Sequence, residues 1–147
     1  MRLRFVKAAH GPYAENLHHV LKEIEGHFML GFGDGGDTPN KEMSIITAAL
    51  PEAKICLSQY PETQKRLDRV GELIDGFGSA FGLELLASVY WIINREGATS
   101  FSQVVGKMRE WGPQKDQFTG TQIHLAIEAL QKNGWVNGVV DNELAPV

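Results

Sequence analysis

Residues 71–97 read Gly-Glu-Leu-Ile-Asp-Gly-Phe-Gly-Ser-Ala-Phe-Gly-Leu-Glu-Leu-Leu-Ala-Ser-Val-Tyr-Trp-Ile-Ile-Asn-Arg-Glu-Gly. A glycine-punctuated turn leads into a helix predicted over 81–95 that is apolar almost all round. Leu83, Leu86, Ala87 and Tyr90 form one stripe, which Asn94 closes; Leu85, Val89, Ile92 and Ile93 form another. A helix apolar on most faces is packed on most faces, so this one is expected at the centre of a domain. No catalytic motif lies in or beside it. The stretch points to the core of a binding module.

Downstream, Gly97 ends that helix. Ser100 followed by Gln103 is a capping-box pattern opening a helix to about Trp111, with Phe101, Val104, Val105 and Met108 inward. Gly112-Pro113 stops it, and 113–118 reads as a mostly polar loop. Thr119 and Gln122 repeat the capping signal. Ile123, Ala126, Ile127 and Leu130 form the next stripe, which Asn133-Gly134 ends. Trp135–Val140, with Asn137-Gly138 at its centre, reads as a small hairpin with a type I′ turn. This order over 81–140 resembles a winged helix-turn-helix.

Upstream the signals are weaker. Pro51 and Pro61 precede helix-friendly runs, predicted over 51–59 and 61–75 and ended by Gly76. Residues 31–42 hold four glycines, one proline and three acids, and read as a surface loop. Residues 43–47 suit a short strand or a helix start equally. Residues 2–8 suit a short strand. After the Gly11-Pro12 break, Leu17, Val20, Leu21, Ile24 and Phe28 make an amphipathic stripe for a helix over 13–28. The tail, 141–147, reads as frayed. The chain is expected to be one mainly α domain over 1–147, with short strands.

The 147 residues suffice for one domain with a core, and 43% hydrophobic with 22% charged residues is ordinary for a globular chain. The net charge of −4 argues against a general nucleic-acid binder. Cys56, the single cysteine, forms no internal disulfide, so a cytoplasmic setting is expected. Its apolar neighbours Ile55 and Leu57 suggest a buried structural thiol. No apolar run approaches the roughly 20 residues a bilayer requires, and Met1–Val6 is no signal peptide.

Each chemical constellation has a plainer reading. His19, Glu23 and His27 recur at helical spacing, but i to i+8 spans roughly 12 Å, too far to share one metal ion; a solvated polar face is expected. The Gly31–Asp37 loop lacks the Gly-Lys-Ser/Thr ending of a phosphate loop, and Asp34 and Asp37 would repel phosphate. They are not at calcium-loop spacing either. His10 has no nucleophile or paired acid beside it. No metal or cofactor is expected. In a winged-helix reading the third helix offers DNA only Lys132 against Glu128, whereas neutralising even about six phosphates takes several basic residues.

Two segments resemble a known family. They are Lys7-Ala-Ala-His-Gly-Pro-Tyr-Ala-Glu-Asn-Leu-His-His-Val-Leu-Lys22 and the Ile74-Asp-Gly-Phe…Phe81-Gly-Leu-Glu-Leu-Leu-Ala-Ser-Val89 centre. Together they are similar to the C-terminal domain of the DarG macrodomain antitoxins, which counter DarT, a toxin that attaches ADP-ribose to DNA. The resemblance covers most of residues 4–136. It implies a chain that binds a DarT-like toxin directly and occupies the path of its DNA. It also implies no enzyme activity here, since no macrodomain sequence is visible.

The implied mechanism is steric and electrostatic: acids laid into a basic DNA groove mimic phosphates and speed encounter. Residues 11–62 carry eight acids against three lysines. Charge and turn position, rather than the family motif, single out Asp34, Asp37, Asp75 and Glu84 as phosphate mimics and Tyr13 and Phe77 as anchors. The alternative is a winged-helix nucleic-acid-binding or autoregulatory module.

Overall fold

The computed structural model describes residues 2–32 and 42–140. Mainly helical, it carries two small two-stranded sheets among the described residues. Strand β1 (Phe5–Ala8) pairs with β2 (Gly11–Ala14). Helix α1 (Leu17–Ile24) follows, then β3 (Met29–Leu30), β4 (Ser44–Ile45), α2 (Leu50–Ser58), α3 (Pro61–Leu73), α4 (Ala80–Asn94), α5 (Phe101–Trp111) and α6 (Gly120–Lys132). The chain separates into two compact units. One takes the lead-in to Phe5 and Ala14–Leu67; the other takes Val6–Tyr13 and the chain from Asp68 on.

The first unit has little interior. No residue of α1 or α2 is buried, and Leu30, Ile45, Ile55 and Tyr60 are all exposed. The helix predicted over 13–28 is only Leu17–Ile24, because local polar contacts compete with the helix at both ends. Ahead of it, the Asn16 side chain accepts from the Arg4 N–H at 3.0 Å and donates to the Arg2 carbonyl at 2.9 Å. Beyond it, Glu25 is extended and its carboxylate accepts from the N–H groups of Gly31 and Phe32. Strands β3 and β4 then pair antiparallel, Met29 with Ile45 and Leu30 with Ser44. Gly31 sits at φ 100°, and a side chain there would strike the Glu42 carbonyl, so only glycine fits. Cys56 is exposed, not the buried thiol expected, because α2 turns only Ala53 and Leu57 partly inward and buries no residue.

The second unit holds the core. Leu85, Leu86, Val89 and Ile92 of α4 meet Val104 and Met108 of α5 and Ile123, Ala126, Ile127 and Leu130 of α6. Leu83 and Ala87 lie exposed, so α4 is buried on most of its circumference and not all. Both predicted N-caps form, though at Ser100 the Gln103 side chain accepts from the Thr99 N–H and does not close the capping box. Ser100 Oγ accepts from Gln103 N–H at 3.3 Å, and Thr119 and Gln122 satisfy each other reciprocally. The expected hairpin over 135–140 is replaced. Val136 and Val139 turn inward, and Val140 forms a parallel bridge with Ser100, its N–H reaching the Thr99 carbonyl at 2.9 Å. Burying two valines outweighs a two-strand ribbon that is marginal on its own.

Gly82 lies in the first turn of α4, under the Ser79 cap. A Cβ there would come within 2.5 Å of the Phe77 carbonyl oxygen and 2.8 Å of Phe77 Cα. Alanine would gain about 1 kcal/mol in helix propensity, but backbone cannot yield as a side-chain tip can. Gly82→Ala is therefore expected to destabilise the fold by about 1–3 kcal/mol, measured by denaturant unfolding. Unchanged or raised stability would show that the turn yields freely.

Candidate functional site

The segment Pro113–Gln117, expected as a polar loop, is a 3-10 turn that drives Lys115 wholly inside. Its Nζ lies 2.7 Å from Glu84 Oε1 and 2.9 Å from Ser88 Oγ, both on α4. The rings of Trp111 and Phe118 flank it, with centroids 4.9 and 5.5 Å from the ammonium. A buried cation is tolerated only when its donors are met and its charge is balanced, and here a carboxylate, a hydroxyl and two ring faces do so. Ser88 Oγ is fully buried beneath this arrangement, closed to any substrate.

The same cluster fastens the Val6–Tyr13 tip. Trp111 Nε1 donates to the Ala8 carbonyl at 2.8 Å, and Gln114 Nε2 donates to the Ala9 carbonyl at 2.9 Å. Lys7 pairs with Glu96 and lies 4.4 Å from the Trp111 ring centroid. A Cβ on Gly11 would lie 3.6 Å from Ser88 Oγ, so the tip sits close over α4. Tyr13 leaves this clamp 51% exposed.

A second feature is an open groove of about 700 Å³, lined by Gly76 and Phe77 on one side and Leu125, Glu128, Ala129, Gln131 and Lys132 of α6 on the other. Phe77 is half-buried against the core, and Leu125 is 51% exposed. Asp75, next to Gly76, is exposed. Of the expected contact residues, Phe77 lines this groove, while Asp75 lies beside it in sequence and outside the lining. Glu84 does not join them. Its carboxylate is held by Lys115, so its charge is met within the fold and it is corrected from phosphate mimic to internal partner. Asp34 and Asp37 lie outside the described residues. Leu125, Lys115 and the groove escaped the sequence reading; a leucine outside the inward stripe of α6 was the one visible signal.

Among the described residues no three His, Cys, Asp or Glu side chains gather to hold a metal ion. His19 and Glu23 lie on α1, but the helix ends at Ile24, before His27; all three are exposed, as a solvated polar face requires. The His18 and His19 rings lie 3.8 Å apart, and His27 meets Glu52 at 3.3 Å. Among the described residues no helix is long and apolar enough to cross a membrane.

The chain is 37% identical to a DNA ADP-ribosyl glycohydrolase of Thermus aquaticus over 134 residues, 91% of this chain and 37% of that protein. It is 30% identical over 140 residues to proteins of the same name from Mycobacterium bovis and Mycobacterium tuberculosis, 88% of this chain and 39% of each of them. It therefore spans under two fifths of the length of these curated relatives. No protein-family profile matches the sequence. The expectation that the chain is not an enzyme is overturned here: all three relatives are named for an enzyme activity, and that name points to a hydrolase.

Proposed function

We propose that this chain acts in the DNA ADP-ribose chemistry named for these glycohydrolases, as the toxin-binding, C-terminal part of a DarG-like antitoxin. Its role in that reading is to seize a DarT-like transferase and block the groove that receives DNA. The observation that carries the reading is the match itself, nearly the whole of this chain against under two fifths of each hydrolase. The proposed contacts are Tyr13 on its clamped tip, Phe77 at the groove with Asp75 in the same turn, and Asp34 and Asp37. A rigid tip bearing an exposed aromatic suits a protein interface, where Tyr and Trp dominate binding energy.

The nucleic-acid alternative fares worse on one observation. The exposed side of α6 presents Leu125 and Glu128, with Lys132 as its one firm cation. Phosphate contacts need several basic residues on such a face.

Co-expression with the cognate transferase, pull-down and a DNA ADP-ribosylation assay test the reading. A stable complex and suppressed modification are expected. Release of ADP-ribose from already modified DNA is followed in parallel, so that blocking of transfer and removal of product are read separately. Absence of any complex overturns the reading.

A further inference from the structure

We infer that the part of the first compact unit holding α1, β3, β4 and α2 is a releasable element. It opens and recloses as one piece while the second unit stays folded, and a protease enters the chain there. The inference does not depend on the toxin-binding reading.

Local structure is the first reason. Helix α1 has 8 residues and α2 has 9, and isolated helices shorter than about 12–15 residues are marginal in water. Neither has a side-chain hydrogen bond capping its N-terminus. In the second unit Ser79, Ser100 and Thr119 cap α4, α5 and α6 in turn, and each cap meets an N–H group that the helix leaves open. Strands β3 and β4 pair over two residues each, and a lone two-stranded ribbon is marginal at best.

Burial is the second reason. Among the described residues of the first unit only Ala14 is buried. The second unit holds Val89, Ile92, Val104, Met108, Phe118 and Ile123 at zero exposure. An element with few buried apolar side chains has little to offset the conformational entropy regained on opening.

The bonds that do hold the first unit are reached by water. Asn16 ties to the backbone of Arg2 and Arg4 in exposed positions. The His27 and Glu52 side chains that meet at 3.3 Å are 59% and 65% exposed, and such pairs contribute little. Helix α3 marks the limit of the element. Of its 13 residues only the last, Leu73, is buried, so it is anchored at its C-terminal end and frays from the other. Tyr13, Asp75 and Phe77 all fall in the second unit and stay with it when the first opens.

The test uses the whole chain under native conditions. Amides of α1 and α2 are expected to be protected from hydrogen exchange at least about a hundredfold less than those of α4, α5 and α6. Thermolysin, which cuts ahead of large apolar residues, should cleave first within α1 or α2 and leave a folded fragment that retains α4–α6. Ile55→Pro, at a position 65% exposed, removes a hydrogen bond from the interior of α2. It is expected to speed that cut and to leave protection of α4–α6 within about twofold of wild type. Equal protection from α1 through α6, or a first cut inside α4–α6, overturns the inference. So does a proline variant in which α4–α6 lose protection along with α2, since that would make the two units one cooperative whole.

Discussion

Lys115→Ala is expected to destabilise the fold by about 3–5 kcal/mol, the cost typical of removing one partner from a buried ion pair. The ammonium is fully buried, whereas the Glu84 side chain retains 18% exposure. Loss of Lys115 leaves that carboxylate and the Ser88 hydroxyl beside a cavity. Part of the penalty is relieved because water can reach Glu84, which places the expectation towards the lower end. For a chain of this size the melting temperature should fall by roughly 2–4 °C per kcal/mol, so on the order of 10 °C in all. Lys115→Met should cost less, since it keeps the stem, and Lys115→Met with Glu84→Leu should recover most of the loss, because two apolar side chains need no mutual neutralisation. Denaturant unfolding of the four chains checks this. A Lys115→Ala protein within 1 kcal/mol of wild type would mean the pair contributes nothing net.

Phe118→Ala is expected to cost about 3–5 kcal/mol, the range for emptying a buried aromatic site. The ring is fully buried and meets Phe81 edge-on at 4.9 Å between centroids. It also flanks the Lys115 ammonium, so its loss removes apolar packing and one face of the cation's surroundings together. The two substitutions should therefore be non-additive, with the double variant less destabilised than the two losses summed. Strict additivity in a double-mutant cycle would sever Phe118 from the Lys115 cluster.

Both effects come from a segment that reads as a polar loop, Pro113-Gln-Lys-Asp-Gln-Phe118. Nothing in its composition separates Lys115 from Gln114 or Asp116. Phe118 carried the one hint, a lone aromatic between two capped helices. The same blindness touched Glu84, which a charge map presents as free and the fold hands to Lys115. That Asp75 and Phe77 share the turn before α4 was visible. The wall opposite Phe77, on α6, was not.

What the sequence by itself determined was local. Helix α4 over 80–94, the Ser100 and Thr119 caps and the inward stripes of α5 and α6 all follow from residues three or four apart, whose meeting depends only on helical pitch. Tertiary structure decided the rest. Lys115 lies 31 residues from Glu84 and 27 from Ser88, and Trp111 lies 103 from Ala8. Partners so far apart meet only after the core has closed, and burial then sets an ordinary surface lysine against Trp111, whose indole N–H holds the tip carrying Tyr13.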